Sequence, residues 1–474
     1  MLSLLVLVPL AGLMLLSFPF GARLRKWATV LAPLLPLSQI ILVVFGPAGF
    51  WSGSGGLDRF CDFGLKADDL SLVMLLSIGI VVFVTLLVVG ELVEGDRQRF
   101  SFTNVLVVAL IGMNGTVLLS DVFSLYVFIE ITTVSSFVLI AFNREKNALE
   151  GAFKYIMLSA VATVLMVTSV ALLLLVAHGT SFSVVREALQ ASGSNVLVKI
   201  AVGAFICGLF IKGGLVPFHG WVPDAYSAAP APVSVLLAGI STKATGIYAL
   251  IRLVAHVFAG SQPLNHVLLF VGVVSIVVGA LAALGQRDMK RMLAYSSISQ
   301  VGYIVLGVGC GTPLGMVGAV FHLFNHAVFK SLLFVNSAAL EQRLGTTDMN
   351  QMGGLGSRMP FTGATSVLAT LSTAGIPPLS GFWSKLIIIV ALWQAGYLGY
   401  AVLAILMSVV TLAYLLGMQR RVFFGKVPEA LAQATEASFG LVVASVVLAG
   451  VTVGVGVLFP WLFNTFLLPV SGIL

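Results

Sequence analysis

Seven side chains that take up or release protons stand inside sequence otherwise apolar enough to lie in hydrocarbon: Glu130, Lys212, Lys243, His322, His326, Lys330 and Lys385. Glu130 lies in "LYVFIEITTVSSFVLIAF", and Lys212 and Lys243 in "FIKGGLVPFHGWVPDAYSAAPAPVSVLLAGISTKATGIY". The two histidines and Lys330 lie in "FHLFNHAVFKSLLF", recurring every fourth residue and so sharing one helix face, and Lys385 lies in "TAGIPPLSGFWSKL". An ionisable group at the centre of a bilayer costs at least about 2.5 to 3.5 kcal/mol, so each needs a reason to be there. Ammonium groups without a counter-charge at that depth exchange protons readily, because burial penalises the charged form. A movable carboxylate turns such a set into a switch. With Glu130 close, Lys212 keeps its proton; with Glu130 withdrawn, the proton can pass toward Lys243. The chemistry is proton transfer along a line of residues.

Plainer readings compete. Glu130 and Lys212 could be a structural ion pair that joins two helices, since buried pairs need not perform work. Lys243 and Lys385 weaken that reading, because no second or third intramembrane carboxylate is evident to neutralise them. Lys154 and Lys199 stand near the ends of apolar runs and are read as snorkelling to the interface, as is Arg252. His219 is read as capping or packing at the end of its run. His322 and His326 have neither a carboxylate nor a cysteine with them, so no metal site is assigned. Cys61, Cys207 and Cys310 show no C-x-x-C spacing, which argues against a disulfide framework, a zinc site or an iron–sulfur centre. The glycines of "GVGCGTPLG" belong to no nucleotide-binding unit and there is no Walker motif. "NGT" at Asn114 falls inside an apolar run, where glycosylation does not occur. No cofactor is expected, and any redox chemistry belongs to another subunit.

The elements that must position these groups are membrane helices. Hydrophobic residues make up 59% of the chain and charged residues 9%, with a mean hydropathy of +1.09, far outside the range of a soluble domain. A span needs about 20 apolar residues. Fourteen such runs begin near Leu2, Trp27, Asp68, Ser101, Val122, Gly151, Lys199, Ala229, Asn265, Arg291, Pro313, Phe361, Tyr397 and Phe439. The first lacks a basic flank and an A-x-A cleavage site, and is read as a retained helix. The connecting loops carry Lys and Arg unevenly. Arg23, Arg25, Lys26, Arg97, Arg99, Arg144, Lys146, Arg287, Lys290, Arg291, Arg343, Arg358, Arg420, Arg421 and Lys426 fall on one side; Arg59, Lys66, Arg186 and Lys199 fall on the other. The positive-inside rule then predicts basic loops in the cytoplasm and both termini on the outer, periplasmic side of the inner membrane. The net charge of +7 reflects that topology, and no nucleic-acid partner is implied.

Two runs are interrupted, the seventh by Gly213, Gly214 and Pro217 and the twelfth by Pro377, Pro378 and Gly381. Unwound backbone at membrane depth is tolerated only inside protein or beside water. Each broken run is the fourth of a five-helix block, runs four to eight and nine to thirteen. An odd-numbered block repeated in tandem must lie in opposite orientations, which points to inverted repeats. The expected fold is all-α and polytopic, with fourteen transmembrane helices, broken helices seven and twelve, and four segments: residues 1–100, a first repeat at 101–258, a second at 264–424, and a C-terminal loop and helix at 425–474.

With these motifs on the page, the chain resembles the antiporter-like subunits shared by respiratory complex I, Mrp-type cation/proton antiporters and membrane-bound hydrogenases. The resemblance runs from about Asp68 to about Phe424 and rests on "FIEITTVSSFVLIAF", "FIKGGLVPFHGWVPDAYSAAPAPVS", "STKATGIYALIRL", "LAYSSISQVGYI", "FNHAVFKSLLF" and "AGIPPLSGFWSK". It implies that Glu130 pairs with Lys212, that protons pass through Lys243 to Lys385, and that His322 and His326 are linking residues. It also implies a subunit working beside other membrane subunits, related antiporter-like ones among them, as the ion-translocating part of a redox-driven translocase without redox catalysis of its own. Lys385 departs from the Glu found there in one complex I subunit type, and the chain stops before any long lateral helix. The competing functions are a sodium/proton antiporter module, with sodium as the coupling ion, an independent solute carrier, and a scaffold with vestigial charges.

Overall fold

The apolar runs fold as helices, and the computed structural model describes residues 2, 4–16, 22–46, 65–191, 195–258 and 261–473. Cys61 and Arg59 lie outside the described residues. In chain order the helices are α1 (Leu4–Leu16), α2 (Ala22–Leu31), α3 (Leu34–Phe45), α4 (Asp69–Leu92), α5 (Asp96–Leu118), α6 (Val122–Ile140), α7 (Lys146–Ala177), α8 (Phe182–Ala191), α9 (Val196–Gly213) and α10 (Trp221–Ala228). There follow α11 (Ala231–His256), α12 (Gln262–Leu284), α13 (Met289–Gly309), α14 (Pro313–Leu344), α15 (Pro360–Ala374), α16 (Ser380–Gln394), α17 (Leu398–Val422) and α18 (Phe439–Val457). Among the described residues 12 helices are long and apolar enough to cross a membrane. The protein is a multi-pass membrane protein. Of the fourteen runs, the first corresponds to the short α1, and the twelfth is divided between α15 and α16, neither of which reaches spanning length alone. The sixth starts at Lys146 rather than near Gly151. The short α8, with a polar face, was not anticipated.

Helix starts follow local chemistry. Asp68, Asp121 and Asp288 cap α4, α6 and α13 by accepting from the backbone N–H three residues on, at 2.9, 2.7 and 2.8 Å. The two interruptions end alike. At Gly214 (φ 68°) and Gly375 (φ 89°) the chain turns left-handed, which only glycine adopts without penalty. The next N–H groups then fold back on the preceding turn, Leu215 to the Phe210 carbonyl and Ile376 to the Leu371 carbonyl, each at 3.0 Å. The prolines that follow cannot restart the ladder at once.

Helices α11 and α14 are wholly enclosed by the others and α13 nearly so, whereas α7, α12 and α17 turn much of their surface outward. Gln39 in α3 and Asn114 in α5 bond each other, at 3.1 and 2.8 Å, and the Leu75 and Leu5 carbonyls, tying the first helices to the bundle. Asn114 is therefore fully buried, as a glycosylation acceptor could not be.

Candidate functional site

Of the charged groups, Lys243, His322, His326 and Lys330 stand on the enclosed α11 and α14, and Glu130, Lys212 and Lys385 on α6, α9 and α16. Lys212, at the last turn of α9, reaches three acceptors: Glu130 Oε1 of α6 at 2.9 Å, Ser159 Oγ of α7 at 2.6 Å and Thr133 Oγ1 of α6 at 3.1 Å. An ammonium has three N–H donors, so this set is complete. Glu130 also accepts from Thr163 Oγ1 at 2.9 Å. Tyr155, Ser159 and Thr163 are four apart on α7 and so form one face against the pair.

Lys243 is differently placed. Its helix, α11, departs from α geometry over Leu237–Ser241 and Lys243–Tyr248, which are π-helical, a form frequent at functional sites. Among the described residues the Lys243 ammonium bonds only Thr242 Oγ1, at 3.1 Å, and faces the Tyr226 ring with its centroid 5.7 Å away; none of their carboxylates pairs with it. On α14, Lys330 bonds Ser296 Oγ of α13 at 2.6 Å, and that hydroxyl meets Tyr414 OH of α17 at 2.7 Å. His326 Nε2 lies 3.4 Å from Ser297 Oγ, and His322 Nδ1 lies 2.9 Å from Ser384 Oγ of α16. Lys385 bonds the freed carbonyl of Thr373 at 2.8 Å, just before the break, and lies over the Tyr303 ring at 4.6 Å. The break thus supplies the oxygen that an intact helix would have used for itself.

The structure brings Glu130 and Lys212 into contact, and sets Lys243, His322, His326, Lys330 and Lys385 in the buried interior on α11, α14 and α16. No direct hydrogen bond joins Lys212 to Lys243. The second group is buried, from 0% exposure for His322, His326 and Lys330 to 3% for Lys385, whereas the Glu130 side chain is 22% exposed. Several buried polar atoms on α14 have no hydrogen-bond partner among the described residues: His322 Nε2, Asn325 Oδ1, His326 Nδ1, Ser331 Oγ, Asn336 Nδ2 and Ser337 Oγ.

One reading is corrected. Arg252 does not snorkel: it is 3% exposed and pairs with Asp68, which caps α4. Lys154, half exposed, is tied down by Glu150 at 2.8 Å and Asp224 at 2.7 Å. His219 lies half-buried in the loop between α9 and α10, its buried Nδ1 without a partner among the described residues. Asp224 also takes Arg291 at 2.6 Å, and these groups border a polar cavity of about 410 Å³ on the side of the basic loops. Burial would raise the Asp224 carboxyl, but the bonds from Lys154 and Arg291 outweigh it and hold it below the usual carboxylate range. The hydroxyl partners were missed by charge alone, although "STK" and "WSK" do place a hydroxyl directly before Lys243 and Lys385.

Comparison with known proteins agrees with this arrangement. Over 367 residues the chain is 32% identical to a Na(+)/H(+) antiporter subunit of Alkalihalophilus pseudofirmus, covering 76% of this chain and 73% of that protein. It is 32% identical over 387 residues to NADH-quinone oxidoreductase subunit N of Desulforudis audaxviator, covering 79% and 77%. A chain in the structure of the Mrp complex from a Dietzia species superposes with a TM-score of 0.88 at 25% identity, covering 100% of this chain and 96% of that one. Residues 120–411, which hold all seven groups, match the family described as NADH:quinone oxidoreductase/Mrp antiporter, TM, and the chain belongs to that family.

Proposed function

We propose that the protein is an antiporter-like, proton-translocating subunit of a complex I-related membrane assembly. Glu130 acts as the movable carboxylate, Lys212 as its partner, and Lys243, His326, Lys330, His322 and Lys385 as the relay. The observation that carries this is the contrast among the lysines. Lys212 has a carboxylate and a full set of acceptors, whereas among the described residues Lys243, Lys330 and Lys385 have only hydroxyls, carbonyls and ring faces. A scaffold would gain nothing from unneutralised ammonium groups at membrane depth. The unpaired polar atoms along α14 support a hydrated path, since such atoms are costly when dry and bind water when room allows. The exposure of Glu130 supports a neighbouring subunit against α6 and α7, because lipid tails cannot solvate a carboxylate.

The same reading includes the inner membrane, basic loops inward, both termini outward, and two inverted repeats at 101–258 and 264–424 between an N-terminal segment and a C-terminal loop and helix. The matching left-handed glycine ends at Gly214 and Gly375 support the repeats. A second reading, a sodium/proton antiporter module, is favoured by the similarity to the antiporter protein and to the Mrp complex. The deciding experiment reconstitutes the whole complex with Lys212→Ala. Assembly with loss of proton movement is expected, and normal pumping by the assembled variant would overturn the assignment. Dependence of the wild-type rate on sodium separates the two readings.

A further inference from the structure

At the end of α11 away from the basic loops, three residues outside the relay form a cluster. Asp68 caps α4, accepting from Ser71 N and Ser71 Oγ, both at 2.9 Å. Arg252 bonds Asp68 through Nη1 and, through Nη2, Ser71 Oγ at 2.6 Å and the Val117 carbonyl of α5 at 3.2 Å. Tyr248 donates to that same carbonyl at 2.8 Å, and its ring centroid lies 5.5 Å from the guanidinium. His256 Nε2 stands 3.0 Å from Arg252 Nη1 and 3.5 Å from Asp68 Oδ2, with the Phe182 ring of α8 stacked on it at 6.4 Å. The Arg252 side chain is 4% exposed and that of His256 26%. The charged groups facing the imidazole are Asp68 from the α4 cap, with Asp69 next to it, and Arg252 from α11 itself. Helix α5 presents the Val117 carbonyl to the cluster, and α8 the Phe182 ring.

A guanidinium only donates, so its 3.0 Å contact with Nε2 is a hydrogen bond when the lone pair is there, that is, with a neutral imidazole whose proton is on Nδ1. A proton on Nε2 removes that acceptor, sets two cations side by side, and makes both compete for one Asp68 oxygen. We propose that Asp68, Arg252 and His256 form a proton-responsive latch. With His256 neutral they pin the outer end of α11 to α4 and α5 and hold Lys243 in line with α14; protonation of His256 releases that hold. Asp68 and Arg252 are positioning residues, acting through Lys243. The π-helical turn Lys243–Tyr248 lies between latch and lysine, and such turns mark places where a helix adjusts. Assignment of the latch to the outer compartment rests on the orientation proposed above.

The test uses the whole complex in proteoliposomes with pH varied on each side separately. The wild-type rate is expected to fall several-fold as outer pH drops from about 8 to about 5.5. His256→Gln keeps an acceptor that cannot be protonated and is expected to hold the high-pH rate throughout. Asp68→Asn with Arg252→Met removes both charges together and is expected to abolish the outer-pH dependence, which serves should the first variant not assemble. Retention of the wild-type acid fall in either variant, a wild-type rate indifferent to outer pH, or a response to inner pH alone overturns the latch. Its failure is distinguishable from failure of the proposed function, because Lys212→Ala is read as loss of transport at every pH.

Discussion

Gly246 of α11 and Gly213 of α9 lie backbone against backbone: a methyl group on Gly246 would stand 2.3 Å from the Gly213 nitrogen and 2.9 Å from the Lys212 carbonyl carbon. The helix that carries Lys243 is thus seated directly on the residue whose ammonium pairs with Glu130. Neither backbone can yield locally. Gly246→Ala is expected to cost about 1 to 3 kcal/mol, as overpacking does, and to displace Lys212 from Glu130. Thermal stability of the assembled complex and its translocation rate should fall together; unchanged values of both would show that the contact is slack.

Glu130→Gln leaves Lys212 buried without its counter-charge and should destabilise the complex more than Glu130→Gln combined with Lys212→Met. Breaking a buried pair by removing one member costs about 3 to 5 kcal/mol, at the upper end for fully buried pairs, while replacing both can be neutral. The partial exposure of Glu130 places the single variant below that range. The double variant is expected to regain stability without regaining transport. Recovered transport in that variant would reduce the pair to a structural bridge.

At Lys243 the chemistry can be varied without opening a cavity. Lys243→His should keep partial translocation because imidazole also titrates near neutrality. Lys243→Met suits the apolar surroundings and should fold at least as well, with transport lost. Wild-type pumping by assembled Lys243→Met would move the path elsewhere. Equal loss in both variants would favour a fixed charge or cation coordination over proton exchange.

Asp224 should make stability depend on pH in one direction. Its folded-state value is depressed by Lys154 and Arg291 against the effect of burial. Such a group stabilises above its unfolded value of about 3.9 and loses that contribution as pH falls through the folded value. Asp224→Asn should therefore lower the melting temperature of the complex at about pH 7, with the difference closing below about pH 4. A difference that stays constant over that interval would assign the effect to packing.

Labels on cysteines introduced at Arg144, Arg287 and Arg421 should react only from the cytoplasmic side. Reaction of any one from the outer side would break the assigned alternation of loops.

Much of the candidate site was legible because a charge in apolar sequence is conspicuous: all seven groups could be singled out, and the two breaks were written in Gly213, Gly214 and Pro217 and in Pro377, Pro378 and Gly381. The hydroxyls that solvate them were not, since Ser159, Thr133 and Ser296 are ordinary residues in membrane helices and only folding reveals which face the lysines. Arg252 was misread for a related reason. Distance from the end of a run suggested snorkelling, while its partner Asp68 lies 184 residues away along the chain. The register of α11 was hidden too, because nothing in "AGISTKATGIY" announces a π-helical stretch.

The enclosure of α11, α13 and α14 bears on how the chain enters the bilayer during synthesis. These three are the least apolar of the spanning helices, and their polar groups face protein only after the bundle has closed. A helix leaves the insertion machinery for lipid according to its transfer free energy, in which each central Lys counts about 2.5 to 3.5 kcal/mol against it. Helix α14 carries Lys330 and two histidines at its centre and is a poor candidate to partition alone. The strongly apolar α12 precedes α13 and α14 and packs along α13, with Gly302 against the Gly272 carbonyl. Insertion is thus expected to be cooperative: lipid-facing helices enter on their own merit, and those that hold most of the candidate relay are carried in against them.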